Sequence, residues 1–409
     1  MVNARREMET RAKVVGRDRP VDQLEFLLSE PPQAAVERER AAFDRLAAPF
    51  NERIVLFGAG RLGRMALKKL RLVGIQPLAF TDNNAALWGT EIDNIGVHTP
   101  AKAAELYGDS AVFVVTIWGA QASDRMSDRV RQLRNLGCMR VVPAGFLFWK
   151  FPEVFLPYFP LDLPHRVLSS TSDIVAAFNL FQDEFSRHEF VAQLSFRLLL
   201  DYDGLTCSGE SKHYFPSELI DLRDDEVLVD CGAFDGDSIE EFVRRKAESF
   251  HSLIAFEPDP ANWKKLHERL NTYALHVRSK ILTIPKAVGA RSETVLFSCD
   301  GTDQSRTGQG TNSVQCVTLD DALQGFQPSL IKFDIEGAEL DALFGGRNTI
   351  SRCRPVLAVS AYHEQDHLWR VPLMLAEVCE NYRFYLRPHG SEGWDLACYA
   401  VPGERAVLQ

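Results

Sequence analysis

The sequence predicts an α/β protein of two modules with mostly parallel sheets, the second closed by an antiparallel hairpin. Three observations predict it. Apolar runs of strand length alternate with amphipathic stretches of helix length over residues 51–145 and again over 224–409, the pattern of strands joined by helical crossovers. Both modules open alike, with an apolar run, a glycine-rich turn and an amphipathic stretch. The 409 residues are 45% hydrophobic and 25% charged. That is enough for about two to three cores and too apolar for a disordered or fibrous chain.

The composition also excludes function classes. A net charge of −10 lacks the basic footprint of a duplex binder, so no nucleic-acid partner is expected. No stretch approaches the roughly 18 apolar residues of a spanning helix, and the first residues, MVNARREMETRAK, hold no apolar signal core. The 8 cysteines form no Cys-x-x-Cys pair, which fits a reduced cytoplasm and argues against a disulfide framework or a cysteine-rich zinc site.

Residues 1–50 read as a helical arm of two short helices, Val21 to Ser29 and Gln33 to about Leu46, separated by Pro31 and Pro32. Their mixed charge suits packing or homo-oligomerisation. Residues 51–145 read as strands at 53–57, 75–80, 111–117 and 139–142, with a helix at 125–136. Between the first strand and its helix lies Gly58-Ala59-Gly60-Arg61-Leu62-Gly63, and the second strand ends at Asp82-Asn83-Asn84. That is the context of a dinucleotide turn, with Asp82 placed to read a ribose. Gly58, Gly60, Arg61, Gly63, Asp82 and Asn83 are the candidate nucleotide-binding residues of this small Rossmann-like domain. A purely structural domain is the competing reading. Residues 146–223 begin with seven aromatics and four prolines up to Pro164 and continue as helix, read as a junction whose aromatics pack between modules.

The last domain, 224–409, has strand candidates at 226–230, 252–257, 281–288, 330–334 and 356–362, then a hairpin from 382–386 and 396–401. Its first turn reads Asp230-Cys231-Gly232-Ala233-Phe234-Asp235-Gly236-Asp237-Ser238. Glycines let backbone approach a ligand, and the following helix start offers free N–H groups. Three acids at the turn would repel a pyrophosphate and suit a cationic ligand with amine and hydroxyl groups, of which S-adenosylmethionine is one. Glu257, 27 residues past Asp230 at the next strand end, can accept from two ribose hydroxyls.

With DCGAFDGDS at 230–238, FEPDP at 256–260, VTLDD at 317–321 and LIKFDIEGAE at 330–339, the chain resembles the FkbM family of S-adenosylmethionine-dependent methyltransferases over about residues 210–401. Tyr362-His363, Trp369, Pro372, Tyr382 and Leu386-Arg387 are similar to the tail of one branch of it. The resemblance implies a methyltransferase-type domain that transfers methyl groups, mostly to hydroxyl oxygens of sugars or natural products. The cofactor set is then Asp230, Gly232, Ala233, Asp235, Gly236, Asp237, Ser238, Glu257 and Asp259. FGAGRLGRMALKKL, FTDNN and GVHTP in the first module resemble the small Rossmann-like domain at the front of bacterial sugar acetyltransferases, where it holds the nucleotide of an activated sugar.

A sugar hydroxyl is a weak nucleophile, so a positioned base helps, by about 10²–10⁴-fold. Asp334, Glu336 and His363 follow strand ends, where open α/β sheets bind ligands. His363 or Asp334 is the expected base, with Glu336 orienting the small-molecule or glycan acceptor or a basic partner. Asp334 and Glu336 would also suit Mg²⁺, which nothing in the sequence requires. Glu339 reads as a helix-dipole complement and Asp320 and Asp321 as helix caps. Lys332, inside an apolar strand, suits a buried acid. His363-Glu364-Gln365-Asp366-His367 matches His-Glu-x-x-His literally, but it follows a strand, and Pro372 is expected to open the next helix. The two imidazoles then share no helical face, which argues against zinc. A nicotinamide-dependent sugar oxidoreductase using the front module, and a non-catalytic nucleotide-binding protein, are the alternatives. The oxidoreductase lacks a Tyr-x-x-x-Lys pair.

Overall fold

The computed structural model describes residues 19–119, 125–206, 214–246, 249–298 and 312–407. The expectations about the extreme N-terminus, Cys207 and Cys299 lie outside these. The described chain divides into two compact units. One takes in the described residues of 1–171, 188–209 and 390–394, the other those of 172–187, 210–389 and 395–409. These limits differ from the expected boundaries at 50, 145 and 223. Among the described residues no helix is long and apolar enough to cross a membrane.

The first unit is built on β1 (Ile54–Phe57), β2 (Ala79–Thr81), β3 (Glu91–Ile92), β4 (Ile95–His98), β5 (Val112–Val115) and β6 (Arg140–Pro143). Their order is β3-β4-β2-β1-β5-β6. β1 pairs in parallel with β2 and β5, in the register Val55 to Ala79 and Ile54 to Val112; only β3 runs antiparallel to its neighbour. β1 and β5 are buried at every position, as a sheet covered on both faces requires. The second strand starts at Ala79 rather than Ile75, behind Pro77, which has no N–H to give a ladder.

The expected arm is no separate element. The helix Pro32–Ala47 puts Ala42, Phe43 and Ala47 into the first unit's core. Phe146, Phe148, Trp149 and Phe155, expected to pack between modules, belong to that same core. Aromatics of this size bury large apolar areas, so a core claims them.

The second unit holds a seven-stranded sheet, β15-β16-β14-β13-β7-β8-β9. Its strands are β7 (Val227–Cys231), β8 (Ser252–Phe256), β9 (Ile281–Ile284), β13 (Leu330–Phe333), β14 (Val356–Ser360), β15 (Tyr382–Pro388) and β16 (Leu396–Pro402). β14, β13, β7, β8 and β9 are parallel. β15 and β16 form the closing antiparallel hairpin, with β16 against β14. The mostly parallel α/β fold read from the sequence is therefore the fold of both units.

The expected strand over 281–288 is two strands. β9 ends at Ile284, Pro285 breaks the chain, and β10 (Ala287–Val288) joins a separate sheet with β12 (Asn312–Val317) and β11 (Glu293–Phe297). Two helix ends also differ. Thr318, not Asp320 or Asp321, caps the turn Leu319–Ala322 by accepting from Asp321 N. Asp320 instead accepts from the backbone of Asn348 and Thr349 at the start of helix Arg347–Cys353. Pro372 lies inside helix His367–Val378, which opens five residues before it.

Candidate active site

The site forms where β7, β8, β13 and β14 end. β7 runs into the glycine turn and then helix Asp237–Lys246. Gly232 has φ +86° and Gly236 φ +89°. A Cβ on Gly232 would lie 2.0 Å from the Asp334 carbonyl oxygen, so the turn needs glycine both for its dihedral and for its contact with the end of β13. Ala233 is fully buried, its N–H bonded to Phe256 O at 2.9 Å.

The acids of the turn do different work from that expected of them. Asp230 is completely buried. Lys332 Nζ sits 2.8 Å from it and also donates to Gly232 O at 2.9 Å, while Ser238 Oγ donates to its other oxygen. Burial opposes charge on both partners. Burial pushes the Asp230 carboxyl up, while Asp230, Asp334 and Asp237 together push the Lys332 ammonium above its ordinary value, and the two lie at ion-pair distance. Asp235 is neutralised by Arg269, at 2.8 Å. Asp237 is exposed at the helix start, one oxygen on Ser238 N. Asp230 thus braces the turn from inside and Asp235, half-buried, through Arg269, and the sequence argument that all three acids repel a phosphate gives way to one exposed acid.

Glu257, just past β8, faces the same turn. It accepts from Phe234 N at 2.9 Å and from Asp259 N at 2.8 Å, one on each oxygen. Each oxygen retains a lone pair. It is 5% exposed, and burial pushes its carboxyl up to about 7 despite those two N–H groups. Asp259 is buried and caps helix Pro260–Leu270 through Ala261 N at 2.8 Å.

Asp334 follows β13. Its oxygens accept from Tyr214 Oη at 2.6 Å and Ser360 Oγ at 2.9 Å, and His363 Nε2 lies 3.4 Å away. Glu336, at φ 57°, brings Oε1 to 3.5 Å from the same nitrogen. His363 is fully buried, with Nδ1 2.8 Å from Glu339 Oε1. Burial opposes its charge, but Glu339 and Glu336 outweigh it and push the imidazole well above its ordinary value. Burial and the Asp334 charge push Tyr214 up likewise, so it stays a donor. The structure thus brings Asp334, Glu336 and His363 together and adds Tyr214, Ser360 and Glu339. Ser360 had a signal, a polar side chain at the end of an apolar strand. Tyr214 had none, since Tyr-Phe-Pro reads as a chain break.

The residues fit S-adenosylmethionine. The glycine cradle, the Glu257 lone pairs and the exposed Asp237 are acceptors and close-approach backbone suited to hydroxyls and a cation. Mg²⁺ does not fit. The oxygens of Asp334 already take two hydroxyl donors, and an imidazole nitrogen stands beside both carboxylates where a cation would go. Among the described residues no group of three or more His, Cys, Asp or Glu side chains could hold a metal. His363 and His367 do not share a helix face, because the helix begins at His367; both point Nδ1 at Glu339.

In the first unit Gly58 has φ +119°, and a Cβ on Gly63 would lie 1.8 Å from Gly58 O. Gly60 has open space, and Arg61 opens helix Arg61–Leu72, exposed. Asp82 accepts from Ala59 N at 2.7 Å. Asn83 pairs with Gln132.

Residues 230–390 match the family model described as the methyltransferase FkbM domain. The crystal structure of methyltransferase FkbM from Methylobacillus flagellatus KT superposes with a TM-score of 0.72 at 23% identity, covering 97% of this chain and 98% of that one. The Methanococcus jannaschii fibrillarin pre-rRNA processing protein gives 0.28 at 11% identity, over 45% of this chain and 70% of its own. The methyltransferase domain of bacterial CtHen1-CN gives 0.26 at 12%, over 44% and 91%. No curated protein matches the chain.

Proposed function

From the premise that residues 230–390 are an FkbM-type methyltransferase domain, which implies S-adenosylmethionine as donor, we propose that the protein methylates a hydroxyl oxygen of a carbohydrate or sugar-containing metabolite. The observation that carries the reading is the contact between the two halves of the site. The Gly232 turn packs against the Asp334 carbonyl, and the Asp334 side chain heads the Tyr214, Ser360 and His363 cluster.

Gly232, Phe234 and Glu257 would hold the donor, which supplies an activated sulfonium methyl when bound. The chain's own residues then orient the acceptor. Its hydroxyl can donate to Asp334 or Glu336, whose carboxylates take the proton as the oxygen becomes a methyl ether. Holding the two reactants in line lowers the barrier by on the order of 7–11 kcal/mol.

The test is calorimetric titration with S-adenosylhomocysteine, then S-adenosylhomocysteine release from S-adenosylmethionine across a panel of free sugars, nucleotide sugars and amines. One site per chain and turnover on a hydroxylated acceptor are expected. Asp334→Asn should lower that turnover about 10²-fold or more. Turnover on amines alone would overturn the O-methylation reading.

The bond from Ala59 N to Asp82 supports a second reading, a nucleotide or nucleotide-sugar held by the first unit. UDP-sugars or NAD should raise the melting temperature of the wild type and not of Asp82→Ala. No shift with either leaves the domain structural.

A further inference from the structure

Glu339 is the buried hub of the second unit's site, although no motif singled it out as more than a dipole complement. It opens helix Glu339–Gly345 and is fully buried. Oε1 accepts from Ile335 N at 2.9 Å and lies 2.8 Å from His363 Nδ1. Oε2 accepts from Gly337 N at 3.1 Å and lies 3.4 Å from His367 Nδ1. The turn braced in this way carries both Asp334 and Glu336, and it is conformationally demanding, with Glu336 at φ 57° and Gly337 at φ 105°. Left-handed backbone at a non-glycine residue persists only where its surroundings hold it.

On the other side of the imidazole, His363 Nε2 is buried and faces two carboxylates. It stands 3.4 Å from Asp334 Oδ1 and 3.5 Å from Glu336 Oε1. A ring held at Nδ1 has its other nitrogen direction set. Glu339 therefore determines both where Nε2 points and where the two carboxylates sit.

We propose that Glu339 is the positioning residue of the methyl-transfer site: it holds the His363 ring and the 334–338 turn together, so that Nε2–H orients Asp334 and Glu336 and a carboxylate, not the imidazole, receives the acceptor's proton. This rests on the methyl-transfer reading above. The acceptor oxygen forms the new bond to the methyl carbon. The carbon–sulfur bond breaks with its electron pair left on sulfur, and the hydroxyl proton moves to an oxygen of Asp334 or Glu336. His363 neither gains nor loses a proton.

The groups facing His363 come from several elements. Glu339 comes from its helix, Asp334 and Glu336 from the turn after β13, and His367 from the next helix. The Tyr362 ring is 4.2 Å away. Burial keeps His367 below its ordinary value, and it faces Asp366 and Arg370 in turn. Three carboxylates thus converge on one imidazole.

The experiment is NMR of the full-length protein labelled with ¹³C at histidine Cε1, between pH 5.5 and 9. His363→Asn assigns the resonance, and S-adenosylhomocysteine affinity is measured on the same samples. In the wild type His363 should remain an imidazolium at pH 8. Glu339→Gln should lower its midpoint by about one unit or more, a tenfold change in proton affinity. A His363 that is neutral at pH 7 in the wild type would overturn the proposal, and that measurement needs no variant to fold. So would an unchanged midpoint in a Glu339→Gln protein that merely melts earlier, the mark of a structural role alone. If the wild type binds no S-adenosylhomocysteine, the methyl-transfer reading fails, while the His363 titration is read independently of it.

Discussion

Glu257 shows how one side chain's surroundings become a binding property. Burial raises its carboxyl to about 7, so below that pH the neutral acid is the main form in the ligand-free protein. Ribose hydroxyls donate to the charged form and favour it. Binding below pH 7 must therefore expel a proton. Affinity for S-adenosylhomocysteine should fall by up to about tenfold per pH unit below 7 and be flat above it. Calorimetry at pH 5.5, 6.5, 7.5 and 8.5 reads this directly. Glu257→Gln should bind more weakly and lose the slope; a wild type with no slope would show that Glu257 does not meet the ligand. Lys332 makes a second residue-scale prediction. It and Asp230 are both almost inaccessible, so Lys332→Met leaves a buried carboxylate without its counter-ion. That should cost about 3–5 kcal/mol in urea unfolding. Lys332 was legible in the sequence because an ammonium in an apolar strand requires a buried partner. Asp334, Glu336 and His363 were legible because they follow strand ends. Tyr214 was not, since its bond to Asp334 spans 120 residues and nothing local announces it.

At the scale of elements, the two glycine turns carry the same bond at the same spacing. Ala59 N donates to Asp82 and Phe234 N to Glu257, each 23 residues apart. The glycines differ in what they permit. Gly232 has a left-handed φ and would press a Cβ to 2.0 Å from Asp334 O, whereas Gly60 meets nothing within 4 Å. A Cβ in the left-handed region costs about 1–2 kcal/mol before any clash. Gly232→Ala should therefore weaken S-adenosylhomocysteine binding more than tenfold and lower stability, while Gly60→Ala should alter stability by about 0.5 kcal/mol or less. Equal losses in the two variants, by calorimetry and urea unfolding, would remove the argument from close approach. The long buried strands were legible because β1, β5, β7 and β14 are buried at every position and read as apolar runs, interrupted only by Asp230 in β7 and Ser360 in β14. β3 has two residues, and β11 and β12 are mostly exposed. β3 is too short to show a period, and β11 and β12 mix polar and apolar residues without a buried face, so they left no clear mark in the periodicity.

For the whole molecule, the unit limits determine which pieces of chain can stand alone. The sequence marks a boundary near 224 by its return to strand–helix alternation. Yet the second unit also takes residues 172–187 and the described residues of 210–223. Phe181 bridges to Phe384, and Gln182 N donates to Phe384 O at 3.1 Å, on the outermost strand of the sheet. Ser186 Oγ accepts from Leu386 N at 2.8 Å, and Arg387 donates to Ser186 and to Asp183 at 2.6 Å. A chain begun at 224 leaves β15 as an uncovered edge with Arg387 deprived of these partners, and it deletes Tyr214 from the site. Exposed edges of this kind pair with other chains. The fragment 224–409 should therefore aggregate or melt without a sharp transition, and bind no S-adenosylhomocysteine. The fragment 172–409 restores the covering segment, Tyr214 and the Asp183 bridge. It also carries 188–209 and 390–394, which belong to the first unit, so it should melt more sharply than 224–409 but below the full chain, by about 2–4 °C for each kcal/mol of packing that it loses. Circular dichroism melting and calorimetry on the two fragments separate these outcomes. A 224–409 fragment with the full chain's melting profile and affinity would mean that strand alternation alone had located the domain, and that the 172–187 segment is dispensable to the fold it covers.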